Sequence, residues 1–163
     1  MTQSALKLID LDYIYLPFLQ RAMDVIAACE ARGATYRATS GYRNSAQQVA
    51  LWRQGRFTPG PIVTNAMPGQ SAHNFGLAID FARIVNGKAV WKDSDYDILI
   101  EEAVAHGLHS GVKYRDRPHV SWPGYITGVD LKPLALCFKA TPGSDLDKLK
   151  AVWQLLEHGP TAP

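Results

Sequence analysis

Cysteine is scarce in this chain: Cys29 and Cys137 are the only two in 163 residues, far apart and outside any ligand-spaced motif. That excludes a disulfide framework and a thiolate zinc finger, and leaves two free thiols of a reducing compartment as the expectation. Also missing is any apolar run approaching the ~18 residues that a membrane span needs. The stretch from Met1 to Asp12 holds Lys7 but no apolar core, and Asp10 and Asp12 interrupt it, so it does not read as a secretory signal. The chain is therefore expected to be made in a cytoplasm and to reach any outside target by another route. An excess of one charge is lacking too. Seventeen Lys+Arg against fifteen Asp+Glu leave a net charge of +2, too little to argue for nucleic acid, though compatible with an anionic polymer. No internal repeat or low-complexity run is visible.

What is present is a globular composition, 47% hydrophobic and 20% charged, in a chain long enough to bury a core. One domain spanning residues 1–163 is expected, and a monomer, since no extended apolar seam is left over. Tyr15 to Ala31 reads as a first helix, with Pro17 in its first turn, Leu16, Leu19, Met23, Ile26 and Ala27 on one face, and Gly33 as a stop. Tyr36 to Thr39 reads as a short strand, and Ser45 as the cap of a helix running to about Gln54. Residues 55–70 hold three prolines and three glycines, a long shaped loop of the kind that usually serves function.

Leu77 to Val85 alternates as a strand, and Asn86-Gly87 is a hairpin turn returning through Lys88 to Trp91. Asp95 to His106 reads as a helix, Pro118 to Trp122 as a last strand, and residues 144–157 as a terminal helix opened by a Ser144/Asp147 capping box. Its inner side carries Leu146, Leu149, Val152, Trp153 and Leu156. That order of elements predicts an α+β fold, a small antiparallel sheet flanked by helices.

The chemistry concentrates in Ser71-Ala72-His73-Asn74-Phe75-Gly76-Leu77-Ala78-Ile79-Asp80 and in Asp116-Arg117-Pro118-His119. His73, Asp80 and His119 offer two imidazoles and a carboxylate, three ligands with a fourth position open, which is the arrangement of a catalytic zinc rather than a structural one. Gly76, between the first two, is where the backbone must approach closely or take positive φ. Such an ion activates water and polarises a carbonyl, which makes amide hydrolysis the natural reaction. Asp116, three residues before His119, is placed to act as general base. Arg43, following a strand end, can stabilise an oxyanion or hold a carboxylate. Ser71 is a candidate to orient a ligand or bind substrate, and Gln48 a further substrate-binding candidate. His106 and His109 read as ordinary histidines at a helix end, and Asp93, Asp95 and Asp97 as helix-capping residues, because the Gly and Glu of a calcium loop are missing.

The spaced set Ser71-x-His73-x-x-Gly76-x-Ala78-x-Asp80 with Asp116-x-x-His119 resembles the M15 zinc peptidases, the D-Ala-D-Ala carboxypeptidase and dipeptidase group. Ser40-Gly41-Tyr42-Arg43, Gln48-x-x-Leu51-Trp52-x-x-Gly55-Arg56 and Val63-Thr64-Asn65-Ala66 are similar to its L-alanyl-D-glutamate endopeptidase branch, which includes bacteriophage endolysins. The resemblance covers roughly Tyr36 to Trp122. It implies a hedgehog/DD-peptidase-type fold, zinc held by His73, Asp80 and His119, Asp116 as base and Arg43 as a substrate or transition-state contact. Many relatives carry Glu at the position of Asp116, whose arm is shorter by one methylene.

The expected function is zinc-dependent cleavage of the peptidoglycan stem peptide between L-alanine and D-glutamate, in the manner of a phage endolysin released through a holin pore. A D,D-carboxypeptidase or dipeptidase is the alternative enzyme, and would need a site closed around a free carboxylate. A non-catalytic wall-binding module is the alternative outside enzymes, and Asp116 argues against it. Neither nucleic acid nor stable membrane insertion is expected.

Overall fold

The segment after Gly76 becomes the central strand because both its faces are covered: Ala78, Ile79, Phe81 and Ala82 are buried, and only Asp80 among the first five is half-open. The computed structural model describes residues 2–158, so the expected extent of 1–163 reaches beyond the described residues at both ends. The elements are α1 (Thr2–Ala5), α2 (Leu16–Ala31), β1 (Thr35–Ser40), α3 (Ser45–Arg53), β2 (Ala78–Val85), β3 (Lys88–Val90), α4 (Asp97–Ala105), β4 (His109–Ser110), β5 (His119–Ser121), α5 (Gly128–Ala140) and α6 (Asp145–His158). Short 3-10 turns add Ala72–Phe75 and Gly111–Tyr114. The strands form one antiparallel sheet in the order β1-β2-β5-β4, with β3 also paired to β2. This is the expected α+β architecture.

The core lies between the sheet and α2, where Phe18, Ala22, Val25, Ile26 and Cys29 meet Tyr36, Ala38, Ile79 and Phe81. The buried face of α2 is rotated from the expected one. Leu16 is 60% exposed at the helix start, and the inward set is Phe18, Leu19, Ala22, Val25, Ile26 and Cys29. Cys29 is fully buried, and burial pushes its thiol up to about 12, so it is inert packing. Among the described residues no helix is long and apolar enough to cross a membrane.

Several local expectations hold. Asn86 and Gly87 both take positive φ in the β2–β3 turn, and Gly33 and Gly107 follow α2 and α4 in the left-handed region. Of the acids expected to cap, Asp95 does so, accepting from the Lys92 N–H at 2.9 Å, whereas the Asp97 carboxylate pairs with Arg117 instead of capping. Two expectations need correction. The cap of α3 is Asn44 rather than Ser45: its side chain accepts from the Gln47 N–H, and the Gln47 side chain answers to the Asn44 N–H, both at 2.9 Å. A whole helix, α5, also stands where no element was expected, capped by Thr127 and Asp130 and containing Pro133. It packs against α6, whose Trp153 indole N–H donates to the Phe75 carbonyl at 2.9 Å and so braces the turn that carries His73.

Candidate active site

Three adjacent backbone positions in the sheet set the site. Ser40 of β1 lies opposite Asp80 of β2, and Asp80 lies opposite His119 of β5. Directly paired residues present their side chains on the same face, so Asp80 and His119 necessarily converge. The pairing of β1 with β2 slips between Ala38 and Ser40, a bulge beside Asp80, and bulges commonly re-aim side chains at active sites. The turn after the long loop then brings His73 in. Gly76 ends it with φ of 66°, and a Cβ there would overlap the Tyr13 carbonyl, so both expectations for this glycine hold.

The donor atoms of His73, Asp80 and His119 all lie within 4.8 Å of one another. His73 Nε2 is 3.2 Å from Asp80 Oδ1, and His119 Nδ1 is 3.0 Å from the same oxygen. Tetrahedral zinc with bonds of about 2.0–2.1 Å separates its ligand atoms by about 3.3 Å, so the set needs little adjustment to hold the ion. The tautomer also fits. The Gly41 carbonyl accepts from His73 Nδ1 at 2.7 Å, which leaves the Nε2 lone pair aimed at a carboxylate. Lone pair against carboxylate is repulsive unless a proton or a cation lies between them. Burial alone would raise the Asp80 pKa, but the charges and hydrogen bonds of His73 and His119 outweigh it and hold Asp80 well below the carboxylate range. For His119 burial pulls downward, while the hydrogen bond and charge of Asp80 win and raise it. A metal ion would take over the same electrostatic role.

Asp116 stands beside this cluster and outside it. Its Oδ2 is 3.9 Å from His119 Nδ1, and its side chain is 56% exposed. Burial and then the Asp80 charge push its pKa upward, opposed by His119, His73 and Arg43, and its exposure lets water screen much of that shift. Arg43 reaches the cluster from the other carboxylate oxygen, 3.9 Å from Asp80 Oδ2. Burial lowers its pKa against the charges of Asp80 and Asp116, yet a guanidinium stays charged. Arg43, Ser71, His73, Asp80, Asp116 and His119 line one cavity of about 290 Å³, whose outer wall is Val63 and Thr64 of the long loop. His106 and His109 stay outside the donor cluster.

Gln48 does not sit on this surface. It is fully buried, its Oε1 accepts from Arg43 Nη1 at 3.1 Å, and its Nε2 donates to the Ala66 carbonyl at 2.7 Å. Its amide ties the guanidinium to the long loop from behind, so the expected substrate contact is corrected to a positioning one. Two residues that sequence reasoning passed over complete the frame. Asn74 donates to the Arg43 carbonyl at 2.8 Å and accepts from the Gly69 N–H at 3.0 Å, joining the loop to the His73 turn. Gly111 underlies the turn bearing Asp116, where a Cβ would overlap the Asp116 carbonyl and crowd His119 Cβ at 2.9 Å. The Gly111 carbonyl also accepts from the Asp116 N–H at 3.0 Å, and Arg115 next to it takes a φ of 58°. Gly111→Ala is expected to shift base and ligand together and to lower kcat/KM on the order of 10²-fold, with reduced metal content, read by kinetics and metal analysis.

Two further spaces adjoin the site. One of about 260 Å³ lies on the Asp116 side among Ser71, His109, Tyr114 and His119. Another of about 750 Å³ shares Arg43 and Leu51 with the site cavity and runs away toward Tyr13 and Tyr42.

Comparison with known proteins finds three similarities. The family model VanY, D-alanyl-D-alanine carboxypeptidase, matches residues 16–111, which take in Arg43, His73 and Asp80 and stop before Asp116 and His119. The peptidoglycan L-alanyl-D-glutamate endopeptidase CwlK of Bacillus subtilis (strain 168) is 34% identical over 119 residues, covering 64% of this chain and 71% of the relative. The crystal structure of the Serratia marcescens L-Ala D-Glu endopeptidase ChiX aligns with a TM-score of 0.49 at 18% identity, over 74% of this chain and 85% of that one.

Proposed function

The chain belongs to the VanY, D-alanyl-D-alanine carboxypeptidase, family of peptidases, and on that footing we propose that it is a zinc-dependent endopeptidase cutting the L-Ala–D-Glu bond of peptidoglycan stem peptides. The observation that carries the reading is the single cavity in which a His-Asp-His donor set stands beside an uncommitted carboxylate and a half-buried guanidinium. The bond assignment is supported by the likeness to CwlK, and an extended substrate by the large groove that continues past Arg43.

His73, Asp80 and His119 would hold zinc, which when bound supplies a Lewis acid for water and the scissile carbonyl. Asp116 takes a proton from the attacking water and returns it to the leaving amine. Arg43, fixed by Gln48 and by Ser40 Oγ at 3.2 Å, faces the charge that develops on the carbonyl oxygen. The Gly41 carbonyl keeps His73 in the tautomer that presents Nε2. Ser71 lines the cavity as a substrate contact. The same reading treats the chain as one monomeric peptidase domain with α6 as its brace. Acting on an intact wall it is bacteriolytic, as an endolysin is.

Defined soluble stem peptides test this directly. New L-alanine C-termini and D-glutamate N-termini, identified by mass spectrometry, are expected. Release of free D-alanine or of its dipeptide, with the L-Ala–D-Glu bond intact, would move the chain to the carboxypeptidase side.

A further inference from the structure

Resting on the L-Ala–D-Glu reading, we infer that the large groove beside Tyr13 and Tyr42 receives the amino sugar to which the stem peptide is attached. In the wall the L-alanine nitrogen is acylated by the lactyl group of a muramyl sugar, so a pyranose lies one acyl unit from the residue whose carbonyl is attacked. The side on which it lies follows from the proton path. Asp116 hands its proton to the leaving nitrogen, so the amine half of the substrate belongs on the Asp116 side, in the small cavity with His109 and Tyr114. His119, the neighbour of Asp116, meets Asp80 through Oδ1, whereas Arg43 approaches through Oδ2. The acyl half therefore runs toward Arg43, and from there the groove of about 750 Å³ opens.

Its lining suits a neutral sugar. Tyr13 and Tyr42 both line it, their rings stacked on one another with centroids 5.0 Å apart at 21°, which supplies aromatic surface for the apolar face of a pyranose. Asp10 and Asp145 add carboxylates. Among the described residues Asp10 accepts from the Asp12 N–H at 3.1 Å and Asp145 from the Tyr42 hydroxyl at 2.8 Å, and a carboxylate so bonded keeps lone pairs for sugar hydroxyls. An anionic occupant would face these two acids, while Arg43, the one cation lining the groove among the described residues, is already turned toward Gln48, Ser40 and Asp80.

The test compares kcat/KM for two substrates with the same stem peptide, one carrying its disaccharide and one capped on L-alanine by acetyl. The wild-type chain is expected to favour the disaccharide form by about tenfold or more, because remote binding contacts raise kcat/KM. Ala50→Trp, which fills the groove from the exposed side of α3, is expected to remove that preference and leave the acetyl-peptide rate unchanged. Asp10→Ala is expected to weaken the preference in the same selective way. Equal rates for the two substrates in the wild-type chain would overturn the sugar assignment and leave the endopeptidase reading standing. So would an Ala50→Trp chain that slows both alike. If neither substrate is cut at L-Ala–D-Glu, the endopeptidase reading itself falls, and the sugar assignment with it.

Discussion

Asp116→Asn is expected to lower turnover of a stem peptide by about 10²–10⁴-fold, the usual contribution of a positioned base, while zinc still binds at one ion per chain. The substitution keeps the size and one acceptor oxygen of the side chain, turns the other into an NH2 donor, and removes its charge and its capacity to accept a proton. Metal retention is expected because the Asp116 carboxylate stands outside the donor set, 3.9 Å from His119 Nδ1 and more than half exposed. Kinetics and metal analysis on the same preparation separate the possibilities. Normal turnover would place the base elsewhere, and loss of zinc would make Asp116 a ligand.

His73→Ala is expected to behave in the opposite manner, losing zinc, activity and stability together. His73 is only 3% exposed, so its ring cannot be replaced by water without rearrangement. Its removal strips the Gly41 carbonyl of its 2.7 Å partner and leaves Asp80 without one of its two imidazole neighbours. An unpaired buried acceptor alone costs about 1–3 kcal/mol, and the metal-binding free energy is lost in addition. Thermal unfolding with and without added zinc measures this. The wild-type chain should gain stability on zinc addition and the variant should not, whereas Asp116→Asn should respond as the wild type does. Equal zinc stabilisation of the His73 variant would contradict the ligand assignment.

The contrast between these two variants mirrors what was legible in the sequence. His73, Asp80 and His119 were readable as candidates because their chemistry is carried by residue type and by spacing around Gly76; the sheet register then brings Asp80 and His119 onto one face, and the turn before Gly76 brings His73 to them. The hairpin at Asn86-Gly87 and the terminal capping box were readable for the same local reason, and Ser144 and Asp147 do bond reciprocally. Helix α5 was not. Pro133 inside it reads as a breaker, but the carbonyl it fails to pair belongs to Val129, which is 81% exposed. Thr127 and Asp130, with Leu131, Leu134 and Phe138 at helical spacing, were the signal available.

Gln48 illustrates a deeper limit. A glutamine on a short, weakly amphipathic helix gives no sign that its amide will be enclosed by Arg43, Asn74 and Ala66, which come from other segments. Gly111 is similar, since its lack of a Cβ matters only because the turn to Asp116 folds back over it. Such positioning residues are products of tertiary packing rather than of local pattern.

The most direct test of the whole account uses purified sacculi digested by the intact chain as prepared, after chelation, and after zinc is restored. Mass spectrometry of the released fragments should find L-alanine C-termini and D-glutamate N-termini with the untreated chain, none after chelation, and the same products once zinc returns. Cleavage that persists undiminished in the chelated, metal-free chain would contradict a mechanism built on His73, Asp80 and His119.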